Sequence, residues 1–323
     1  MKKAIAILLS AAFLLTSFSG CSPKKHPDKD DGKLMVVTTI FPLYDWAVEI
    51  IGDQAEHVHL VCLLENGADY HSFQPSASDI VRITEADVFL FTGGGSESWA
   101  EEALKNSRNP GQKVVSLFSV LSDRLLLEEH VEGMEEEEHG EGNAVEYDEH
   151  LYLSLVNAKR AVEAIRDALS KADPAHRNSY SENAAAYLEK LSALDESYRD
   201  AVRTAGRNVI LFGDRFPFRY LTEDYGLRYY AAFQGCSADS EASFATVAFL
   251  AEKVKELALP AVLALEKSDH KLAETIISAS GVPETEILTM DSMQAVTPQD
   301  RAQGASYLGS MEKNLETLRK ALN

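Results

Sequence analysis

His71 lies in Asp69-Tyr70-His71-Ser72-Phe73-Gln74-Pro75, and His150 lies in Asp148-Glu149-His150-Leu151. Each sits in a polar, acid-flanked segment outside any apolar pattern, which leaves its imidazole available for chemistry. Neutral imidazole is the commonest protein ligand for metal ions. The carboxylates beside it are the other ligand type that divalent ions accept. A pair drawn from two distant segments suits a cleft that closes on an ion. Whether the two meet depends on the elements that carry them.

Short apolar runs alternate with helical patterns along most of the chain. Met35–Ile40, His57–Leu64, Asp87–Thr92 and Lys113–Phe118 read as strands, as do Asn208–Phe212, Arg228–Phe233, Ala261–Leu265 and Glu286–Met290. Between them, Leu43–Ile51, Ser76–Glu85, Ser243–Leu257 and Lys271–Ser280 have helical spacing, with Ser76 and Ser243 as N-caps and Gly281 as a stop. Strand and helix in alternation imply parallel sheets covered on both faces. From His150 to Ala205 the pattern is helical, broken only at Asp173-Pro174. Ala175–Ala205 contains neither proline nor glycine, and as one helix at ~1.5 Å per residue it exceeds about 40 Å. The expected fold class is therefore α/β: two lobes, each a mainly parallel sheet flanked by helices, joined by one long backbone helix. The expected boundaries are 34–174 for the N-terminal lobe, 175–206 for the linking helix and 207–323 for the C-terminal lobe. A single stiff helix between the lobes predicts small domain motion.

Ligands of open α/β sheets bind beyond the carboxyl ends of the strands. Those ends carry Glu65 to His71, Asp214-Arg215, Glu266 and Asp291, and His150 opens the helix after an acidic segment. One strand-end aspartate is most often a helix cap, so the convergence carries the weight. His57 and His59 alternate on a strand, so that one faces solvent; His176 and His270, near helix starts, read as surface residues, and His26 falls in a polar tether.

The ends and the composition narrow the function. Lys2 and Lys3 precede an apolar run from Ala4 to Leu15 and then Phe18-Ser19-Gly20-Cys21. Residues 1–20 read as a signal peptide, too short to span a membrane. Cys21 resembles a lipobox cysteine, the lipidated N-terminus of a mature chain tethered by residues 21–33. The expected location is extracytoplasmic, on the bacterial cell membrane. Net charge is −20, and −22 once Lys2 and Lys3 are removed, which disfavours nucleic acid. Cys62 and Cys236 could form one disulfide or remain buried thiols. Residues 128–149 hold Glu135-Glu136-Glu137-Glu138, His130 and His139 without Lys or Arg. Self-repulsion and the lack of apolar anchors predict a disordered loop that either gathers metal weakly or is merely solvated. No His-Glu-x-x-His segment and no Gly-x-Ser-x-Gly elbow is present, so hydrolysis is not expected.

The chain resembles the zinc- and manganese-type solute-binding lipoproteins of metal ABC importers, the cluster A-I family. The resemblance covers residues 34–323. It rests on Thr38-Thr39-Ile40-Phe41-Pro42-Leu43, on Gly67 through Ser76, on Asp148-Glu149-His150 with Asn157-Ala158, and on Tyr220 with Tyr225-Gly226-Leu227. Glu241-Ala242-Ser243, Leu288-Thr289-Met290-Asp291, Tyr307 and Asn314 complete it. The resemblance implies a monomeric binding protein that holds one divalent metal between its lobes and delivers it to a membrane permease. It carries ligand roles onto His71, His150 and Asp291. The His-containing acidic loop before His150 resembles that of zinc-type members and favours Zn²⁺ over Mn²⁺ as cargo.

At one position the chain departs from the family, which places a third ligand, His or Glu, where Arg215 stands. A guanidinium stays protonated and cannot ligate a cation. Three explanations stay open. Asp214 replaces the missing ligand; or Arg215 pairs with Asp291 while Glu65, Glu266 or water fills the site; or the cargo is a metal with a bound anion that Arg215 holds. A surface adhesin with a degraded metal site is the alternative function, and a secreted zinc hydrolase a weaker one.

Overall fold

In the computed structural model of this chain, eight strands among the described residues form two separate four-stranded sheets, both wholly parallel. The structure describes residues 32–65, 70–135, 146–235 and 241–323. The first sheet holds β1 (Leu34–Thr38), β2 (Val58–Cys62), β3 (Val88–Phe91) and β4 (Lys113–Ser116) in the order β2-β1-β3-β4. The second holds β5 (Val209–Phe216), β6 (Arg228–Gln234), β7 (Ala261–Leu265) and β8 (Glu286–Met290) in the order β6-β5-β7-β8. β3 and β7 are buried along their whole length, as continuous apolar runs in doubly covered parallel sheets should be. In each sheet the winding reverses after its second strand. That opens a crevice at the carboxyl ends of β1 and β3 in one, and of β5 and β7 in the other.

The helices of the first half are α1 (Phe41–Ile51), α2 (Ala77–Glu85), α3 (Ser98–Leu104), α4 (Leu117–Val120) and α5 (Leu155–Ala172). α6 (Arg177–Thr204) follows, and then α7 (Arg219–Tyr225), α8 (Phe244–Glu256), α9 (Lys271–Ser280), α10 (Pro298–Ala302) and α11 (Tyr307–Ala321). The expected start and stop signals operate. Ser76 closes a reciprocal capping box with Asp79, Ser243 accepts from the Thr246 N–H, and Gly281 ends α9 in the left-handed region at φ 71°.

α6 is the predicted long helix: 28 residues, hence roughly 42 Å. Its buried face carries Tyr180, Ala184, Tyr187, Leu191, Leu194, Tyr198 and Ala201 at helical spacing, with Asp195 among them paired to Lys159 and Tyr225. The apolar side chains belong to a core that continues from Val36 and Leu90 in the first sheet to Phe212 and Leu263 in the second. Polar ties reinforce it. The Tyr307 N–H donates to Asp45 Oδ2 at 2.8 Å, the Tyr307 hydroxyl to the Tyr152 carbonyl at 2.8 Å, and the Tyr220 hydroxyl to the Asp148 carbonyl at 2.8 Å. Arg124 meets Asp224 in an ion pair that also receives the Ser154 hydroxyl. Leu34–Asn323 is accordingly one compact unit.

Two expectations are corrected here. The acidic segment was expected to lack anchors, yet its described stem is docked. The Glu128 N–H donates to the Glu146 carbonyl at 3.0 Å and the Glu135 N–H to the Ala232 carbonyl on edge strand β6 at 2.9 Å. Glu135 Oε2 accepts from the Ser243 N–H at 2.7 Å and the Thr246 hydroxyl at 2.8 Å, placing a carboxylate at the N-terminus of α8. Those donors hold the Glu135 carboxyl below its usual range. Met134 is buried, and Gly133 lies so close to Phe249 that a Cβ there would stand 2.0 Å from its ring. A single methionine in an acidic run has no periodicity, which is why the anchor was invisible. Residues 136–145, including His139, lie outside the described residues, as do Cys21 and the rest of the leader and tether through residue 31.

β5 is the second correction: it runs on through Phe216 instead of ending at Phe212, with a register shift between Phe212 and Arg215. Gly213 permits this, since a Cβ would come within 2.9 Å of the Ala273 Cα on α9. Cys62 is a free, buried thiol, pushed up to about 12 by burial; Cys236 lies outside the described residues.

Candidate metal site

The His71 and His150 rings come together with centroids 5.5 Å apart. His71 follows β2 and is partly accessible, its side chain 22% exposed, whereas His150 is fully buried at the entrance to α5. A carboxylate attends the Nδ1 of each. Asp148 Oδ1 accepts from the His150 N–H at 2.8 Å and lies 3.0 Å from His150 Nδ1. Glu149 Oε2 lies 3.5 Å from His71 Nδ1, which also meets Ser96 Oγ at 2.9 Å. A carboxylate at the Nδ1 of a metal-ligating imidazole orients the ring and fixes its tautomer.

The second-lobe candidates sit where predicted but hold other partners. Asp291, just past β8, accepts from the Ser310 hydroxyl at 2.7 Å and the Met293 N–H at 2.8 Å. Asn314 braces its backbone, accepting from the Asp291 N–H at 2.7 Å and donating to its carbonyl at 2.8 Å. Glu266, after β7, accepts from the Ser292 N–H and hydroxyl at 2.8 and 2.6 Å. Burial, and then the negative charge of Asp291, raise the Glu266 carboxyl above its usual range. A carboxyl whose ionisation a neighbouring carboxylate opposes is a place where a cation is welcome. Both line a cavity of about 280 Å³ together with Lys267, Asp300 and Ser310.

Asp214 has a different duty. Its Oδ2 accepts from the Leu265 N–H at 3.1 Å and its Oδ1 from the Arg215 N–H at 2.8 Å. Among the described residues, the β5 backbone pairs with β7 only at Phe212 with Leu263. Beyond the bulge, the Asp214 side chain carries the connection that the backbone drops. Arg215 Nε lies 3.7 Å from Asp214 Oδ1. Glu65 pairs with Arg301, whose guanidinium lies 4.3 Å from the centre of the Tyr44 ring.

The structure thus brings the two histidines together and leaves Asp214 and Asp291 outside their immediate circle. Among the described residues, no three His, Cys, Asp or Glu side chains converge as a metal cage. The loop after Asp291 nonetheless reaches the first lobe. Met293, Gln294 and Val296 face Ile40, Pro42, Tyr70 and Tyr152 across a crevice filled down to about 10 Å³. Imidazole and carboxylate, the side-chain types of His71, His150 and Asp291, are both zinc ligands. Of the remaining histidines, His57 stacks on His176 at 4.9 Å, and His176 Nδ1 meets Asp173 at 2.6 Å.

Sequence reasoning did not single out Ser96 or Glu149 as parts of the site. The readable signal was Gly93-Gly94-Gly95-Ser96 directly after β3, a strand end with room for another chain. Gly94, at φ +91°, passes Glu149 so closely that a Cβ would stand 2.4 Å from Oε1.

Two parallel four-stranded sheets flanked by helices, with a long helix packed on the core they share, define a two-lobed α/β protein. The chain belongs to the ZnuA family, the zinc-uptake complex component A periplasmic proteins, whose family model matches residues 36–321. It is 35% identical over 323 residues to the zinc-binding lipoprotein AdcA of Streptococcus pneumoniae serotype 4, covering 99% of this chain and 61% of AdcA. The chain therefore spans less than two thirds of that relative. It is 31% identical over 321 residues to the high-affinity zinc uptake system protein ZnuA of Bacillus subtilis strain 168, covering 98% of this chain and 96% of the relative. The Zn(II)-bound ZnuA-like domain of Streptococcus pneumoniae AdcA superposes with a TM-score of 0.71 at 30% identity, covering 90% of this chain and 99% of that domain.

Proposed function

We propose that this chain is the extracytoplasmic binding component of a metal ABC importer, that it captures zinc between its lobes, and that it delivers the ion to a cognate permease without catalysing a reaction. The observation that carries the reading is the His71–His150 pair, two imidazoles 5.5 Å apart with a carboxylate near the Nδ1 of each. His71 and His150 supply the first-lobe ligands, and Asp291 supplies the second-lobe ligand by exchanging its bonds to Ser310 and Met293 for the ion. Asp214 is the candidate fourth ligand, through the lone pairs left beside its bonds to Leu265 and Arg215. Kinship with zinc-binding relatives supports zinc over manganese. The protein acts as a monomer held at the membrane by lipid on Cys21; among the described residues, no helix is long and apolar enough to cross a membrane.

Calorimetric titration of the chelator-stripped protein with Zn²⁺, Mn²⁺ and Fe²⁺ tests this reading. One tight zinc site is expected, with manganese and iron weaker. Failure to bind any divalent ion would overturn it. Binding that survives Asp214→Ala but not Asp291→Ala would remove Asp214 from the ligand set.

A further inference from the structure

Glu149 is buried, 6% exposed, yet one of its oxygens has no hydrogen bond. Oε1 is fixed by the Ser96 N–H at 2.9 Å, inside the turn that Gly94 opens. Among the described residues, Oε2 accepts no hydrogen bond, and it lies 3.5 Å from His71 Nδ1. A buried carboxylate oxygen left this way is costly unless a proton-bearing partner faces it. The contact between His71 Nδ1 and Ser96 Oγ does not choose that partner, because a hydroxyl can donate to a bare nitrogen or accept from an N–H. Glu149 makes the choice. A lone pair on Nδ1 would face the negative Oε2, whereas an Nδ1 proton is attracted to it. With the proton on Nδ1, the lone pair of the ring resides on Nε2.

We infer that Glu149 is a positioning residue that holds His71 in the Nδ1–H tautomer and so presents Nε2 to the cargo ion. The inference rests on His71 being a ligand. Asp148 and Glu149 then divide the work within one dipeptide: Asp148 orients the adjacent His150, and Glu149 reaches across to the histidine of the other segment. A carboxylate on the Nδ1 side of the ring also raises the basicity of Nε2. It stands on the far side of the imidazole from an ion bound there, which makes it an orienting group and not a ligand.

Glu149→Gln is the informative variant. The Ser96 N–H selects the amide oxygen as its acceptor, which turns the Gln amino group toward His71 Nδ1. Nδ1 must then accept, and the proton moves to Nε2. Long-range ¹H–¹⁵N spectra of the metal-free protein should show His71 switching from the Nδ1–H to the Nε2–H tautomer. Zinc affinity should fall about 10- to 100-fold, with the thermal midpoint of the metal-free protein unchanged. Ser96→Ala, which keeps the carboxylate, should preserve the tautomer and hold affinity within about threefold. An unchanged tautomer and affinity in Glu149→Gln would overturn the inference, and so would loss of the tautomer in Ser96→Ala. His71→Ala separates the two levels. If it binds zinc like the parent chain, the ligand role of His71 fails; if it loses zinc while Glu149→Gln does not, only the positioning role fails.

Discussion

At the scale of single residues, the site is a set of imidazoles held by carboxylates, and its behaviour follows from that chemistry. His150 is fully buried against Asp148, so replacing it removes both a proposed ligand and the partner of a buried carboxylate. His150→Ala should weaken zinc binding at least 100-fold in a competition titration and lower thermal stability as well. His71→Ala should weaken zinc binding comparably with a smaller effect on the fold, because His71 is partly exposed. Equal stability losses in the two would contradict this assignment. Zinc affinity should fall as pH drops below about 6, since a protonated imidazole cannot ligate. His71 and His150 stood out in the sequence as acid-flanked, non-periodic positions, and Asp291 as a strand end; the structure brings the two rings together and pairs Asp291 with Ser310 and Met293. Glu149 was on the page inside Asp148-Glu149-His150, but its role depends on where the Gly93–Ser96 turn passes, a contact between segments that no local pattern encodes. Asp214 was equally legible as a strand-end carboxylate. Its bracket on the Leu265 N–H was not, because it depends on a bulge that moves the strand end by four residues.

At the scale of elements, the eight strands and the long helix were readable from period and punctuation, and the acidic loop was not. The stem of that loop crosses onto β6 and caps α8 through Glu135, with Gly133 pressed on Phe249 and Met134 in the core. The Gly133 backbone, at φ 87°, is unfavourable for any residue with a Cβ, and there is no space for one. Gly133→Ala should therefore release the stem. Amide exchange at residues 131–135 should accelerate by at least tenfold, while exchange in α6 stays as in the parent chain. Protection unchanged at 131–135 would show that the clasp does not depend on this close approach. The prediction belongs to the element, since the loop supplies no strand to either sheet.

Across the whole molecule, one core passes through both sheets and α6, and the ties at Tyr307, Tyr220 and Arg124 join segments far apart in the chain. Zinc capture should therefore proceed by side-chain exchange around Asp291, with little rigid-body closure. The radius of gyration measured by small-angle scattering should change by less than about 1 Å on loading; a contraction of several ångströms would contradict a single continuous core. The buried acids set the pH dependence of stability. Burial raises Glu97 to about 7 and Asp45 to about 6. Each keeps its proton in the folded protein after the unfolded chain has lost it. Their contribution is present below the ordinary carboxylate range and is lost as pH rises through about 6 and then 7. Glu97→Gln keeps an acceptor for the Gly93 N–H, now made at 2.8 Å, and removes the ionisation. It should be more stable than the parent chain at pH 8, by on the order of 3 kcal/mol, with the difference vanishing below about pH 4. A constant difference across that range would show that Glu97 does not titrate there.

The central claim is that one zinc ion is held by His71 and His150 from the first lobe and a carboxylate from the second. X-ray absorption at the zinc edge, on the chain loaded with one equivalent, tests it most directly. The account predicts two imidazoles at about 2.0–2.1 Å with oxygen donors completing the shell, one imidazole lost in His71→Ala and one oxygen lost in Asp291→Ala. A shell without imidazole, or one unchanged by both substitutions, would contradict it.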